Sequence, residues 1–508
     1  MSLLDDVSIV VTPNGYKAGE LYAVIPVPTE GTEKIDNGTF TTADLSDFAT
    51  TYATQEIVSE ELKTTLNTAN GYGFSKFTFA AEIGRSYRIL ASCKQGTSDG
   101  TQVRSNSGIT LINSGTNTGD WNYDEIGVAT STTCQVRLQA YGASGVYGLF
   151  DNVSVKEYTS ADMDVTRATD ATRVNESGLI EDVLSNVPRI DYTGGGCPHI
   201  LAEPMRTNLV TYSEDFSQTK WTGSPTTADV TVTTNTNPSG ASGTYSVENV
   251  TGTQLGSFYT ITSGVDYTNS FYVRNISGSG VISLKDINNS GTEFTATSEW
   301  QKFSVTGTSN STTGRIYLSV TTVGDIVEVW GAQLEEGSYA TSYIPTSGST
   351  VTRNQDIFTR DGIGSLINST EGVLFVEMAA LADDGVAKYL TMNDGSSNND
   401  VRIYFNTASN GISALLKSTT GATQAFLSYT VTDTTAFHKI AFVYAVNRFE
   451  LWVDGEKRAE DLSGIAPVGL TTLEFSRASN FLPFFGKVKQ LQVYNTALTP
   501  TQLDALTS

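Results

Sequence analysis

Apolar residues recur at every second position in short runs along most of the chain. Ser86–Lys94 (SYRILASCK) and Tyr267–Arg274 (YTNSFYVR) are two such runs, and clusters of Gly, Ser and Asn separate them from their neighbours. A period of two turns one side of a segment toward a core and the other toward water, which is the signature of a half-buried β-strand. Long helical periodicity is almost absent. Many short strands with regular punctuation predict sandwiches or jelly rolls, so the expected class is all-β.

The run Phe437–Glu460 shows the pattern at its clearest. Ile440, Phe442 and Tyr444 alternate with Ala441, Val443 and Ala445, and a turn at Val446–Arg448 follows. Phe449, Leu451 and Val453 then face one way, with Glu450, Trp452 and Asp454 facing the other. Asp454–Gly455 predicts a tight hairpin, because both central positions of that turn need positive φ. At the chain's end Thr499, Pro500 and Gln502 have the spacing of a helix-capping box, and Leu503 and Leu506 would pack the final turn onto a sandwich.

A faint repeat divides the first two thirds. GRSYRILASCKQGTSDG parallels GVDYTNSFYVRNISGSG, with Tyr87 matching Tyr267 at an offset of 180 residues. The closing strands GLFDNVSVKEY and EVWGAQLEEG match Phe150 to Trp330 at the same offset, and Phe40 and Phe216 mark openings that nearly keep it. Two copies of one sandwich are therefore expected, at 36–158 and 208–345, with a further sandwich at 370–508.

Composition narrows the function. The 508 residues include 54 acidic and 31 basic side chains, a net charge of −23. Such a field repels phosphate backbones and anionic membranes, and no run approaches the roughly 18 apolar residues of a spanning helix, so neither nucleic acid nor membrane insertion is expected. Cys93, Cys134 and Cys197 stand far apart, with neither zinc spacing nor a disulfide framework, which suits a reducing compartment. Met1–Val11 carries two Asp residues where an export signal needs positive charge, so export by the usual route is not expected.

Three resemblances follow from the quoted runs. The two repeats resemble the jelly-roll carbohydrate-binding modules often joined to glycoside hydrolases. The run DMDVTRATDATRVNESGLIEDVLSNVPRIDYTGGGCPHILAEPMRTNLVTYSEDF (Asp162–Phe216), with SIVVTPNGYKAGELYAVIP near the start and VWGAQLEEGSYATSYIPTSGSTVTRNQD (Val329–Asp356), resembles a block recurring in tail-fibre and other virion proteins of bacteriophages. In that pattern AVIP runs on quickly into DVTRAT. The first jelly roll is then an insertion, in an attachment module made of 1–35 and 159–207, and 346–369 is a linker. Finally, FHKIAFVY…LWVDGEKR followed by GKVKQLQVYNTALTPTQLDAL resembles the laminin-G/concanavalin A-like lectin superfamily. Phe437 stands where that family usually has Trp, and Lys489–Gln490 replace its usual acidic pair.

The candidate chemistry points to binding rather than catalysis. Neither His199 nor His438 has a metal-binding spacing, and GGGC at Gly194–Cys197 lacks the strand–helix unit of a phosphate cradle. Adjacent carboxylates such as Glu335/Glu336 and Asp383/Asp384 would point to opposite faces of a strand. A glycosidase needs two carboxyl groups opposed across a sugar at about 5–10 Å. Sugar sites instead use aromatic rings with nearby amides and carboxylates. Trp121 and Tyr123, in the turn-like GDWNYDEIG, read either as such a platform or as a plug over the core. Trp221 and Trp452 are further candidates, whereas Trp300 and Trp330 read as core. NFLPFF, with Phe481, Phe484 and Phe485, reads as a partner or subunit contact or as a closure of the sandwich. The jelly-roll resemblance implies a structural calcium, with Asp36 and Asp151 as its ligands in the first copy alone; no other cofactor is expected. Together these readings lead to a non-enzymatic fibre or spike of a phage virion, assembled in the host cytoplasm and released by lysis. It would be trimeric like other fibres, held to other virion proteins through the N-terminal module, and directed at host-surface glycans. The alternatives are a ligand-free spacer or capsid decoration and, less favoured, a polysaccharide-degrading enzyme.

Overall fold

The computed structural model describes residues 7–24, 31–83, 85–111, 113–158, 161–221, 229–252, 254–418 and 420–508. The first six residues of the leader reading therefore lie outside the described residues. The protein is all-β, and among the described residues its one α-helix is Pro500–Thr507. It forms two compact units, Val27–Ser160 and Met1–Pro26 together with Ala161–Ser508.

The smaller unit is a jelly-roll sandwich. One sheet runs in the order Ala53–Val58, Glu61–Leu66, Tyr147–Tyr158, Ser86–Lys94, Asp120–Ala129 and Ile109–Thr110. The other runs Phe48–Thr51, Tyr72–Ala80, Thr133–Tyr141 and Gly100–Ser107. Alternate residues such as Phe77, Ile89, Val136 and Phe150 fill the space between them. The unit is inserted where the chain leaves Glu20–Val24 and before it returns as Met163–Thr166, and those two strands pair antiparallel.

The second jelly roll belongs to the larger unit and repeats most of the strand order. Its five-stranded sheet is Val230–Thr236, Ser242–Glu248, Ile326–Glu336, Asp266–Ser277 and Gln301–Thr308. The opposing sheet is Gln254–Thr260, Thr313–Val320, Val281–Lys285 and Gly291–Thr295. Thr133 pairs with Ala80 in one copy and Thr313 with Thr260 in the other, both shifted by 180. The Tyr87 hydroxyl accepts the Glu82 N–H at 2.9 Å, and the Tyr267 hydroxyl accepts the Thr262 N–H at 3.1 Å.

The closing strand departs from the sequence alignment by one residue. Cys93 pairs with Phe150, but its counterpart Val273 pairs with Val329. Phe150 therefore matches Val329, and Trp330 matches Asp151. A slip of one residue exchanges the two faces of a strand. Phe150 points into its sandwich, whereas Trp330 points away from the second sandwich and is buried against Ile180 and Tyr343 instead.

The C-terminal sandwich absorbs segments that the sequence reading kept apart. Val7–Lys17 pairs with Gly486–Tyr494 on one side and with Glu20–Val24 on the other. Met163–Thr166 and Ile357–Arg360 continue the same sheet to Thr472–Glu474. Ile9, Val11 and Phe358 lie in one core with Ile440, Phe442 and Leu451. The separate attachment module of 1–35 and 159–207, and the linker at 346–369, are thus corrected: much of each is integral to the C-terminal domain. The pairing also covers an edge of Gly486–Tyr494 that would otherwise be open to further strand addition.

A network of buried charge links the segments Asp162–Phe216 and Val329–Asp356. Arg167 lies 2.9 Å from Asp356, Arg189 lies 2.5 Å from Glu203 and also pairs with Asp356, and Arg353 lies 2.7 Å from Glu203. All five are nearly inaccessible to water. The network ties TRAT, PRIDY, LAEP and VTRNQD together, and the neighbouring arginines hold Glu203 well below the usual carboxylate range against the opposing effect of burial.

Candidate functional site

A cleft of about 1120 Å³ opens on the outer face of the five-stranded sheet of the second jelly roll. Its floor follows from strand alternation: Phe271 and Val273 enter the core, which turns Tyr272 and Arg274 outward, and Lys302 pairs with Tyr272 from the next strand. Trp300 stands just before that strand, held by a hydrogen bond from its Nε1 to the Thr236 carbonyl at 3.0 Å.

Three segments raise the walls. The hairpin Ala171–Val174/Ile180–Val183 leans on the sheet, with the Ile180 N–H donating to the Pro238 carbonyl at 2.9 Å. Gly194, Gly195 and Gly196 form a turn with φ of 92°, 75° and 79°, a run of left-handed backbone that only glycine adopts without strain. Ala340–Tyr343 completes the wall, and Leu381 and Lys487 reach the cleft from the C-terminal sandwich.

The lining combines rings and charges. The Tyr343 ring centroid lies 4.4 Å from that of Trp330, and that of Tyr272 lies 5.6 Å from Trp330. The Arg274 guanidinium sits 4.9 Å from the Trp300 centroid and the Lys302 ammonium 5.4 Å from that of Tyr272. Burial pushes the Tyr272 hydroxyl above its ordinary pKa, and the Tyr343 hydroxyl donates to Glu214 at 2.8 Å. Aromatic faces beside hydroxyl, amide and ammonium groups suit a polyhydroxylated ligand.

The residues singled out from sequence lie elsewhere. Tyr123 faces the core of the smaller unit, and the partly buried Trp121 packs on that core while its Nε1 donates to Thr101 at 2.8 Å. Trp221 plugs the second jelly roll, its centroid 4.7 Å from that of Phe216. Trp452 is covered by Val7, Leu498 and Leu503, and its Nε1 donates to Glu450 at 2.9 Å. Tyr123, Trp221 and Trp452 are therefore corrected from sugar platforms to packing residues. In NFLPFF the roles divide: Phe484 is core, Phe485 is half-buried and Phe481 is 61% exposed. Only Phe481 offers a ring to a partner.

Asp36 and Asp151, the expected calcium ligands, have local hydrogen-bond partners. The Asp151 carboxylate accepts from the backbone and side chain of Asn152, and the Asp36 N–H is bonded to Asp47. Among the described residues no group of three or more His, Cys, Asp or Glu side chains is placed to hold a metal. His438 bridges Asp454 and the Asp433 carbonyl at 2.6 and 2.9 Å. His199 is buried 3.4 Å from Asp191, and burial lowers its pKa to about 4. No helix among the described residues is long and apolar enough to cross a membrane.

Trp300 was missed as a cleft residue because it reads as core in the sequence, and Tyr272 because it stands in mid-strand rather than in a turn. The available signal was Tyr272 itself, at an outward position of a strand whose neighbours are core.

Comparison with known proteins agrees with the fold of the C-terminal sandwich. Residues 374–504 match the model of the Concanavalin A-like lectin/glucanases superfamily. No curated protein matches the chain. Among solved structures, a leech intramolecular trans-sialidase is similar at 21% identity and a TM-score of 0.23, over 27% of this chain and 23% of that one. The tandem carbohydrate-binding modules of Paenibacillus barcinonensis Xyn10C are similar at 10% identity and a TM-score of 0.21, over 61% and 98%. The ANX2 ectodomain of Arabidopsis thaliana gives 8% identity and a TM-score of 0.17, over 65% and 97%. The chain spans about a quarter of the leech enzyme and of the NanB structure, at 23% and 26% of their lengths. At TM-scores this low, none of these likenesses carries an argument about function.

Proposed function

We propose that this protein is a fibre or spike of a bacteriophage virion that presents β-sandwich modules to carbohydrate on a host surface. The observation that carries the glycan-binding part is the cleft, where Tyr272 and Trp300 stand beside cationic and amide groups on a rigid sheet. The virion part rests on the resemblance of the Asp162–Phe216 and Val329–Asp356 runs to phage proteins. Other virion proteins would be held through the N-terminal region, and a trimer would repeat each cleft, so that weak sites add up to durable attachment. Localisation to the virion follows from the same reading.

A second reading has an observation of its own. Tyr123, Trp221 and Trp452 are packing residues, as expected if the sandwiches only build a rigid spacer. A glycan array and saturation binding to host cells separate the two, using the full chain and a Tyr272→Ala/Trp300→Ala variant. Saturable binding that falls at least tenfold in the variant supports attachment. Binding by neither protein, with normal incorporation into particles, supports the spacer and overturns the glycan reading.

A further inference from the structure

We infer that the cleft selects an acidic saccharide, with Lys302 as the group that receives its carboxylate. This inference rests on the glycan-binding reading of the same cleft and specifies its ligand class.

The case comes from following each charge that lines the cleft to its partner. Arg173 is committed to Glu181 at 2.7 Å, and Arg274 is held by Glu328 through bonds of 2.6 and 2.8 Å. Glu203 is neutralised by Arg189 and Arg353. Asp191 accepts the Val174 and Thr193 N–H groups, each at 2.8 Å. Two exposed carboxylates, Glu176 and Glu299, remain on the lining, together with two half-buried lysines, Lys302 and Lys487.

Among the described residues neither lysine has an ion pair. The Lys302 ammonium donates to the Thr341 carbonyl at 2.5 Å. An ammonium carries three N–H donors, so two remain for a ligand. The nearby Glu335 carboxylate is already engaged by the Thr341 N–H at 3.0 Å and by the Thr341 hydroxyl. Burial lowers the pKa of Lys302, while the fields of Glu335 and Glu203 oppose that effect and favour the cation.

A partly buried ammonium with no direct ion pair among the described residues gains charge-assisted hydrogen bonds when a carboxylate binds. Lys302 lies 5.4 Å from the Tyr272 ring centroid, so a carboxylate seated there brings its sugar ring to the aromatic part of the lining. The net charge of −23 does not prevent this, since exposed charges beyond about 8 Å are largely screened at physiological salt.

The test uses the full chain, a panel of hexuronate-containing tetrasaccharides, and the same tetrasaccharides with each carboxylate reduced to a primary alcohol. Calorimetric titration should show at least one acidic member binding tenfold or more tightly than its reduced form. Lys302→Met, which keeps the aliphatic stem, should lose about tenfold toward the acid and nothing toward the reduced form, and Lys302→Arg should recover part of the loss. Equal binding of acid and reduced forms overturns the inference, and that comparison needs no variant. So does an acid affinity unchanged in a folded Lys302→Met. A neutral glycan whose binding depends on Trp300 but not on Lys302 overturns the acid selectivity alone. Silence toward all acidic and neutral glycans overturns the glycan-binding reading itself.

Discussion

Ile9 is fully buried in the C-terminal core, on a strand that stands 484 residues from its pairing partner Val493. Ile9→Ala removes three carbons, worth about 2.4 kcal/mol at about 0.8 kcal/mol each. A residual cavity adds to this, and buried Ile→Ala changes generally cost about 2–5 kcal/mol, so about 3 kcal/mol is expected here. Unfolding of a chain with two units is not one two-state event, so the assay must report by region. Native-state hydrogen exchange does so: opening free energies should fall by about 3 kcal/mol for Gly486–Tyr494 and His438–Ala445, within the usual range for a core truncation. Peptides of Val27–Ser160 should not change. Asn14→Ala, at an exposed position of the same strand, should stay within about 0.5 kcal/mol. Unchanged exchange in Gly486–Tyr494 would refute the reasoning, because Val7–Lys17 would then contribute nothing to that core.

Other consequences follow from buried charge and thiols. Asp356→Asn leaves the Arg167 and Arg189 guanidinium groups short of a counter-ion and should cost about 3–5 kcal/mol, read as loss of the larger unit's thermal transition with the smaller unit's retained. His199, lowered to about 4, binds fewer protons folded than unfolded; its stabilisation is present above pH 6.5 and lost on descent through 6.5 to 4, up to about 3 kcal/mol in denaturation at a series of pH values. Asp400 behaves in the opposite sense: burial, only partly offset by Arg402 at 3.1 Å, raises it to about 7, so stability falls as pH rises from about 4 to 7. Asp400→Asn should abolish that fall and stabilise the protein above pH 7 by up to about 4 kcal/mol. Iodoacetamide should alkylate Cys197 and spare Cys93 and Cys134 in the native state, because both of the latter are buried and burial pushes the Cys93 thiol up to about 12. Mass spectrometry of the labelled peptides checks this.

Local chemistry was readable from the chain because short-range geometry decides it. Asp454 and Gly455 take φ of 50° and 79°, as their turn demands, and Thr499 and Gln502 form the capping box. Tyr87 and Tyr267 marked the repeat correctly, since each closes the same five-residue loop. What depends on register or on distant chain was not readable. Trp330 was misassigned because one residue of slip exchanges the faces of a strand. Trp452 had the right alternation, yet its outer face is closed by the C-terminal helix and by Val7 from the other end of the chain. The N-terminal strand was read as part of an attachment module because nothing local reveals a partner near residue 493. The cleft draws on separate segments between Thr172 and Lys487, none of which has a binding motif of its own.

The glycan-binding claim is tested most directly by a crystal structure of the full chain with the tightest-binding oligosaccharide from the array. The account predicts a sugar ring in the cleft, in contact with Tyr272 and Trp300 and with its carboxylate on Lys302. A ring bound instead beside Phe481, or in the shallow depression at Arg88 and Asp124 on the smaller unit, with the cleft empty, would contradict it.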